Sequence, residues 1–459
     1  MKSDQQGNGM KIKFIETTRY VSEGRLLKTK HLYYPSITFP LLASYTPPEY
    51  EIMMTNEIFE EIDFEEKVDL VGITSITSNI FRAYEVADEF RKRSVPVVMG
   101  GVHVSAEPDE ALEHSDTVFI GEAERTWPQF LKDFDRGEQK RIYKSEDRTS
   151  MEGLPLPRFS LLDKYGSRYL GAQKKGVFKF ISEPVFPIQT ARGCPHSCDF
   201  CAVTGHFGPT YRPRPVRDVV DEIKALGARR IFFIDDDIMA VPKRAKELFK
   251  ALMPLKILWG GQANISAAED RKLLELARAS GGVWVVIGLE TLSEKNLRLI
   301  GKERLNKIER YAQNLKAYRK AGIDADVMMI FGFDEDSPEV FRKSYEFLVK
   351  NRVPYTGWLP LTPFPGTALY QKMKDNKRLK EDRWWLNPYG DAYALRYTGI
   401  AFDEKMFKKL FMFYYKKFYS PWSMMRRLFF PPTLRTPLTL YINSKYYKKI
   451  SPETLIVEH

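Results

Sequence analysis

Apolar and polar positions along this chain alternate in a rhythm of short runs and longer stretches. Ile12 to Ile15, Tyr50 to Met54, Leu70 to Ile73, Val95 to Met99 and Thr117 to Ile120 are apolar or β-branched runs of strand length. Between them, Ile80 to Arg91 and Ala106 to Glu113 repeat their apolar positions at helical spacing. Strands that alternate with helices predict a parallel, doubly wound α/β sheet over residues 10–140. Polar turns follow the strands: Thr74-Ser75-Ile76-Thr77-Ser78, Gly100-Gly101-Val102-His103 and Gly121-Glu122-Ala123-Glu124. Ligands of such sheets bind beyond the carboxyl ends of the strands, where these turns fall.

Residues 141–185 lose the rhythm and carry Pro155, Pro157, Gly166 and Gly171, which predicts a linker with local structure. The rhythm returns at Pro187, and residues 186–366 form a second α/β region. Its expected strands are Ile188 to Thr190, Arg230 to Ile234, Lys256 to Trp259, Val283 to Ile287, Asp326 to Ile330 and Tyr355 to Leu359. Amphipathic helices lie between them, among them Val216 to Leu226 closed by Gly227, a residue suited to a left-handed cap. This spacing predicts a barrel-like domain with polar residues gathered at successive strand ends: Asp235-Asp236-Asp237, Gly260 to Asn264, Gly288-Leu289-Glu290 and Gly332-Phe333-Asp334. Residues 367–459 are aromatic and basic and predict a helical extension. Its apolar stripe is read as Met406, Leu410, Phe413 and Tyr414, flanked by Lys408, Lys409, Lys416 and Lys417. Such a helix either caps the barrel with its aromatics inward, the commoner arrangement, or lies on an anionic membrane.

Composition narrows the setting. A chain of 459 residues exceeds one ordinary core, so several domains are expected. No apolar run reaches the length of a membrane span and residues 1–10 lack a signal peptide's apolar stretch, which predicts a cytoplasmic protein. The net charge of +11 is concentrated toward the C-terminus, at Lys408-Lys409, Lys416-Lys417, Arg426-Arg427 and Lys445 to Lys449. It is interleaved with Phe429-Phe430-Pro431-Pro432 and other aromatics, and with no RNA-recognition motif in the chain, nucleic acid is not an expected partner.

The 3 cysteines sit together as Cys194-Pro-His-Ser-Cys198-Asp-Phe-Cys201. None remains for a disulfide framework. Three thiolates on one loop suit an iron–sulfur cluster better than zinc, whose structural sites close with four ligands. Held by three thiolates, a [4Fe–4S] cube keeps one iron open.

The spacing Cys-x-x-x-Cys-x-Phe-Cys resembles the cluster loop of the radical S-adenosylmethionine (SAM) superfamily. The resemblance implies that Cys194, Cys198 and Cys201 ligate the cluster, that SAM's amino and carboxylate groups take the open iron, and that Phe200 packs near the adenine. It also implies a partial barrel of six βα units. Asp236, Gln262 and Glu290, at strand ends, resemble residues that hold SAM in that family; for the three aspartates the alternatives are a divalent-metal site and, more commonly, helix capping. His196 and His206 read as solvated loop histidines.

Ser75-Ile76-Thr77 and Gly100-Gly101-Val102-His103 resemble the S-x-L/T and GG elements of cobalamin-binding domains, and with Gly121-Glu122 they match the cobalamin-dependent radical SAM class. The implied cobalamin contacts are Ser75, Thr77, Gly100, Gly101, His103, Gly121 and Glu122. One departure concerns the D-x-H-x-x-G element, whose histidine ligates cobalt in many such domains: the equivalent stretch, Glu16 to Gly24, has neither Asp nor His, and His31 lies too far along to replace it.

Together these resemblances identify the chain with radical SAM enzymes that carry a cobalamin domain, of the anaerobic magnesium-protoporphyrin cyclase and hopanoid-modifying type. The expected activity is reductive SAM cleavage followed by methylation, or other modification, of an unactivated carbon of a hydrophobic small molecule. The expected cofactors are a [4Fe–4S] cluster, SAM and cobalamin, and the expected electron donor is a flavodoxin or ferredoxin. Peripheral membrane contact is a further expectation. The alternatives are a radical SAM oxidoreductase or cyclase with a vestigial N-terminal domain and, further off, an RNA-modifying enzyme.

Overall fold

The computed structural model describes residues 9–169, 184–387, 389, 394–428 and 443–444. Gly171, Phe429 to Pro432 and Lys445 to Lys449 lie outside the described residues. The chain divides into two compact units: Met1–Pro184 with Trp385–Tyr389, and Val185–Trp384 with Gly390–His459.

The first unit is built on six parallel strands, β1 (Lys11–Glu16), β2 (Glu51–Asn56), β3 (Leu70–Thr74), β4 (Val97–Gly100), β5 (Thr117–Ile120) and β6 (Ile142–Lys144). Their order across the sheet is β2-β1-β3-β4-β5-β6. Five helices accompany them: α1 (Thr38–Ser44), α2 (Ile80–Lys92), α3 (Val102–Ala106), α4 (Pro108–His114) and α5 (Thr126–Asp135). Consecutive positions Ile12 to Ile15 of β1 are all buried, as expected of a parallel strand covered on both faces. Phe14 needs space from its neighbour strand. It lies opposite Gly72, where an added Cβ would come within 2.9 Å of its ring, and it stacks on Phe39 at 4.5 Å. Trp127 from α5 closes this core and gives its indole N–H to Thr46 Oγ1 at 2.9 Å.

The second unit contains another six parallel strands: β7 (Val185–Ile188), β8 (Arg230–Phe233), β9 (Leu258–Gln262), β10 (Gly282–Glu290), β11 (Asp324–Phe331) and β12 (Thr356–Pro360). They neighbour one another in chain order, which is the winding of a βα barrel. Among the described strands β7 and β12 pair on one side only, so the sheet is open. The intervening helices are α6 (Ala202–Phe207), α7 (Val216–Ala225), α8 (Pro242–Leu252), α9 (Arg271–Ala279), α10 (Glu294–Leu299), α11 (Ile308–Lys320) and α12 (Glu339–Lys350). After β12 come α13 (Ala368–Asp375), α14 (Glu404–Phe418) and α15 (Pro421–Leu428). Gly227 ends α7 with φ +59, as its position predicted.

Several expectations need correction. The single helix Ala106 to Glu113 is two helices. Pro108 brings no N–H to continue the first, and Glu107 leaves the helical region at φ −128 and ψ 62. The strand expected at Ile188 to Thr190 instead runs Val185–Ile188, with Pro187 tolerated because this strand is an edge. The strand expected from Lys256 starts at Leu258, because Lys256 is left-handed at φ 51 after a tight turn, and it continues through Gln262. Glu290 belongs to β10 rather than to a turn after it. Inside 141–185, Ile142–Lys144 is a sixth strand and Phe159–Arg168 is a 3-10 helix. On α14 the buried stripe is Phe407, Phe411, Tyr415 and Phe418, one residue on from the stripe expected, and Met406 and Phe413 face outward. The aromatics of the inward face do enter the barrel core, where Phe411 meets Phe331 and Trp358 at 5.8 Å.

Candidate active site

The cysteine loop leaves β7 after a tight segment that glycine makes possible. Gly193 has φ +80, and a Cβ there would fall 2.3 Å from the Thr210 carbonyl oxygen. Cys201 N–H donates to Cys198 O at 3.1 Å, and the loop is tied down on either side by Asp199 N–H to Ile300 O at 3.1 Å and Leu369 N–H to Asp199 O at 2.8 Å. Lys372 adds an ion pair to Asp199 at 2.5 Å. Cys198 is buried, Cys194 and Cys201 are half-buried, and none is paired in a disulfide. Burial pushes the Cys194 thiol up to about 12 and Cys198 up to about 11, so each holds its proton at neutral pH until a metal replaces it. Among the described residues no three His, Cys, Asp or Glu side chains converge on one metal-ion position.

Beneath the loop lies a layer of acids at the end of β8. Asp235 accepts from Thr190 N–H at 2.6 Å and from the Thr190 hydroxyl at 2.5 Å. Asp237 accepts from Met239 N–H at 3.0 Å and from the Asn264 amide at 2.7 Å. Asp236 lies between these two tethered acids and accepts from the Gly193 N–H beside Cys194. Burial raises all three carboxyls, Asp235 to about 7 and Asp236 and Asp237 to about 6. The outer two acids are buried and held by side-chain partners, whereas Asp236 is half-buried and held by backbone N–H.

The sequence reading missed Lys302. Its Nζ donates to Gly288 O at 3.1 Å and pairs with Glu290, itself at the positive φ of 65. Both side chains are nearly buried, at 12% and 7% exposure. Burial opposes the ammonium, yet Glu290, then Cys198, hold its pKa above the ordinary value. Asn306 fixes the bulge by donating to Gly288 O and Leu289 O, each at 3.0 Å. A lysine following Ile300-Gly301 has no periodicity to mark it; only the fold brings it to Glu290 and the cysteines. Phe200 packs against the barrel core and Gln262 is exposed at the end of β9. His196 is not a freely solvated loop residue: its Nε2 is buried, 3.9 Å from Asp237 Oδ2. It lines a cavity of about 600 Å³ with Asn264, Ser266 and Leu305.

In the first unit the ends of β3, β4 and β5 bring together most of the remaining candidates. Ser75 N–H donates to Gly100 O at 3.1 Å, and Thr77 Oγ1 lies 3.1 Å from His103 Nδ1. His103 is wholly buried and its other nitrogen lies 3.3 Å from Glu110 Oε1. Glu110 also accepts from Tyr84 at 2.9 Å and from the Trp385 indole at 2.9 Å. These hydrogen bonds outweigh its burial and hold its carboxyl below the usual range. His103 and Thr77 are thus engaged with protein groups, and neither His103 nitrogen is open to a cobalt. Gly101 is glycine for an internal reason, since at φ +107 a Cβ would stand 2.4 Å from Ser75 O. Gly100 is different: a Cβ there would meet its nearest atom at 3.5 Å. Gly121 N–H is held by Ser105 Oγ at 2.9 Å, while Glu122 turns to Thr149 N–H at 2.8 Å. What the turn offers outward is Ile76, 56% exposed, and the Ser75 hydroxyl, buried with no hydrogen-bond partner among the described residues. An orphaned buried hydroxyl beside an open glycine fits a bound ligand's polar group.

The Radical SAM superfamily matches residues 188–348, from β7 into α12, and the B12 binding domain family matches residues 46–131. The chain has a radical SAM domain and a B12-binding domain. Its cofactors are a [4Fe–4S] cluster, SAM and cobalamin. The protein is 29% identical over 393 residues to the bacteriochlorophyllide d C-12(1)-methyltransferase of Chlorobaculum tepidum, covering 84% of this chain and 82% of that protein. It is 24% identical to the hopanoid C-2 methylase of Rhodopseudomonas palustris, covering 74% and 64%. Among solved structures, the radical SAM methyltransferase TsrM from Kitasatospora setae superposes with a TM-score of 0.61 at 16% identity, covering 80% of this chain and 75% of that one. The cobalamin-dependent radical SAM enzyme OxsB superposes at 0.65 and 14% identity over 97% and 72%. The α/β sheet and the barrel expected from the sequence are therefore the fold of this class.

Proposed function

We propose that this protein is a C-methyltransferase that acts on an unactivated carbon of a hydrophobic small molecule. The observation that carries the reading is the cysteine loop with Lys302 and Glu290 buried against it, in a chain that also has a B12-binding domain and resembles methyltransferases along most of its length. When bound, the cluster, SAM and cobalamin supply the radical and the methyl group. The protein's own residues bind and orient. Cys194, Cys198 and Cys201 would hold three irons, and Asp236 would take the ammonium of SAM's methionyl group. Lys302 would answer its carboxylate or the cluster's negative charge, and Phe200 would pack near the adenine. Gln262 and Glu290 would hold the rest of SAM. In the first unit the Ser75 hydroxyl and the Gly100 backbone would receive cobalamin's nucleotide tail; His103, Thr77, Gly101, Gly121 and Glu122 would act by positioning these turns.

The bacteriochlorophyllide and hopanoid activities of the relatives support a large apolar substrate. A flavodoxin or ferredoxin would deliver the electron, the compartment would be the cytoplasm, and the protein would meet a membrane peripherally. Among the described residues no helix is long and apolar enough to cross a membrane.

The test is anaerobic purification and reconstitution, then iron, sulfide and cobalt analysis and an assay for 5′-deoxyadenosine with dithionite. The expected result is about four irons per chain, bound cobalt, and reductive SAM cleavage. Absence of cleavage with the cluster in place would overturn the enzyme reading. Cleavage without bound cobalt would favour the oxidoreductase or cyclase alternative.

A further inference from the structure

Two helices at the end of the described chain carry more outward apolar surface than their packing needs. α14 completes its barrel contacts with Phe407, Phe411, Tyr415 and Phe418, all on one side. On the opposite side, at helical spacing, stand Met406, Lys409, Phe413 and Lys416, with Met406 42% and Phe413 56% exposed. α15 repeats the arrangement. It buries Ser423, Met424, Arg427 and Leu428 and turns out Trp422 at 67% and Met425 at 53%. Elsewhere among the described residues the exposed large apolar side chains are scattered aliphatics and one tyrosine; the exposed Trp, Phe and Met are all here.

Beyond the first residue of α14, Glu404, which pairs with Lys380 at 2.6 Å, the charge on these helices has one sign. From Lys405 to Leu428 there is no Asp or Glu, while Lys405, Lys409, Lys416, Lys417 and Arg426 are exposed. Large aromatic and Met side chains framed by lysine, with no acid among them, complement an interface that is apolar below and anionic above. A soluble acidic protein would complement the lysines but leave Trp422 and Phe413 without a role.

We propose that the outward faces of α14 and α15 dock this protein on an anionic lipid bilayer. Trp422, Phe413, Met406 and Met425 enter the headgroup layer, and Lys405, Lys409, Lys416 and Arg426 meet the lipid phosphates. The surface deepens the membrane clause of the proposed function and rests on that reading only for its purpose, access to an apolar substrate.

The test is co-sedimentation of the full-length, reconstituted protein with phosphatidylcholine vesicles, with and without phosphatidylglycerol. Expected is pelleting with the anionic vesicles at low salt, and little with phosphatidylcholine alone or at high salt. The doubly substituted F413S/W422S protein should lose most binding. K405E/K409E/K416E should weaken it by at least about fivefold per lysine, roughly a hundredfold together. Because all five positions are exposed, iron content and 5′-deoxyadenosine formation should stay at the parent's level. No pelleting with anionic vesicles would overturn the proposal, as would pelleting that F413S/W422S leaves unchanged. A protein that binds vesicles but does not cleave SAM would retain this inference and lose the proposed function.

Discussion

The two sheets end in turns that look alike in sequence but serve their ligands in opposite ways. At the barrel's end the ligand groups are side chains, three unpaired thiols over a layer of buried acids and a buried lysine. At the end of the B12-binding unit most polar side chains are already matched with one another, as Thr77, His103, Glu110, Tyr84 and Trp385 are. What remains there is backbone, one hydroxyl and an exposed isoleucine. A cluster needs covalent ligands, so its site must show as a motif. A large organic cofactor can be held by shape and by backbone, which leaves a fainter record.

The sharpest way to break this contrast is at the thiols. Cys198→Ala should lose the cluster and all measurable 5′-deoxyadenosine while bound cobalt persists, read by iron and cobalt analysis on one preparation. Retained cleavage would deny the loop its role. Lys302→Met comes next. It leaves the Glu290 carboxylate buried and unpaired, at a cost of about 3–5 kcal/mol in denaturant unfolding. Lys302→Met with Glu290→Leu should recover most of that stability without restoring SAM cleavage, which separates the pair's structural share from its role toward ligands.

Within the B12-binding unit the two adjacent glycines should part company. Gly101→Ala drives a Cβ into Ser75 and should cost at least about 2 kcal/mol of stability. Gly100→Ala should leave the unfolding midpoint nearly unchanged and lower cobalt content instead. If both variants lose stability alike, Gly100 is structural too.

The smallest effect concerns pH. Glu16, at the end of β1 where a cobalt-ligating element would begin, accepts from Asn56 at 2.6 Å and is pushed up to about 7 by burial. Its folded form holds a proton that the unfolded chain releases near pH 4.5, so its share of stability is complete below that pH and is lost as pH rises through 7. Part of its surface reaches solvent, so the loss is on the order of 1–2 kcal/mol. Glu16→Gln should flatten the pH dependence of thermal unfolding between these limits, and an unchanged slope would contradict the assignment.

Much of this was legible in the chain itself, for reasons that differ by element. Parallel strands buried on both faces are continuous apolar runs, so β1, β3, β5 and β11 stood out, and the cysteines were conspicuous by their isolation. The ends of elements were harder, because Pro108 and the left-handed Lys256 set boundaries that apolar periodicity does not register. The face of α14 was misread because aromatic residues surround that helix; only contact with Phe331 and Trp358 decides which of them turn inward. Lys302 was invisible for a similar reason, since its meaning lies in a partner 12 residues away across a bulge. His103 was expected in the turn after a strand; it lies in α3, and its occupation by Thr77 and Glu110 depends on residues no local motif includes.

The hydrogen bond from Trp385 to Glu110 spans 275 positions of sequence and lies inside the first unit. On the ribosome, at about 5–20 residues per second, the indole would be made tens of seconds after the carboxylate it satisfies. Until then Glu110 lacks the indole donor. A fragment cut at Pro184 would stay in that unfinished condition permanently, so the B12-binding unit should mature only after most of the barrel has been synthesised.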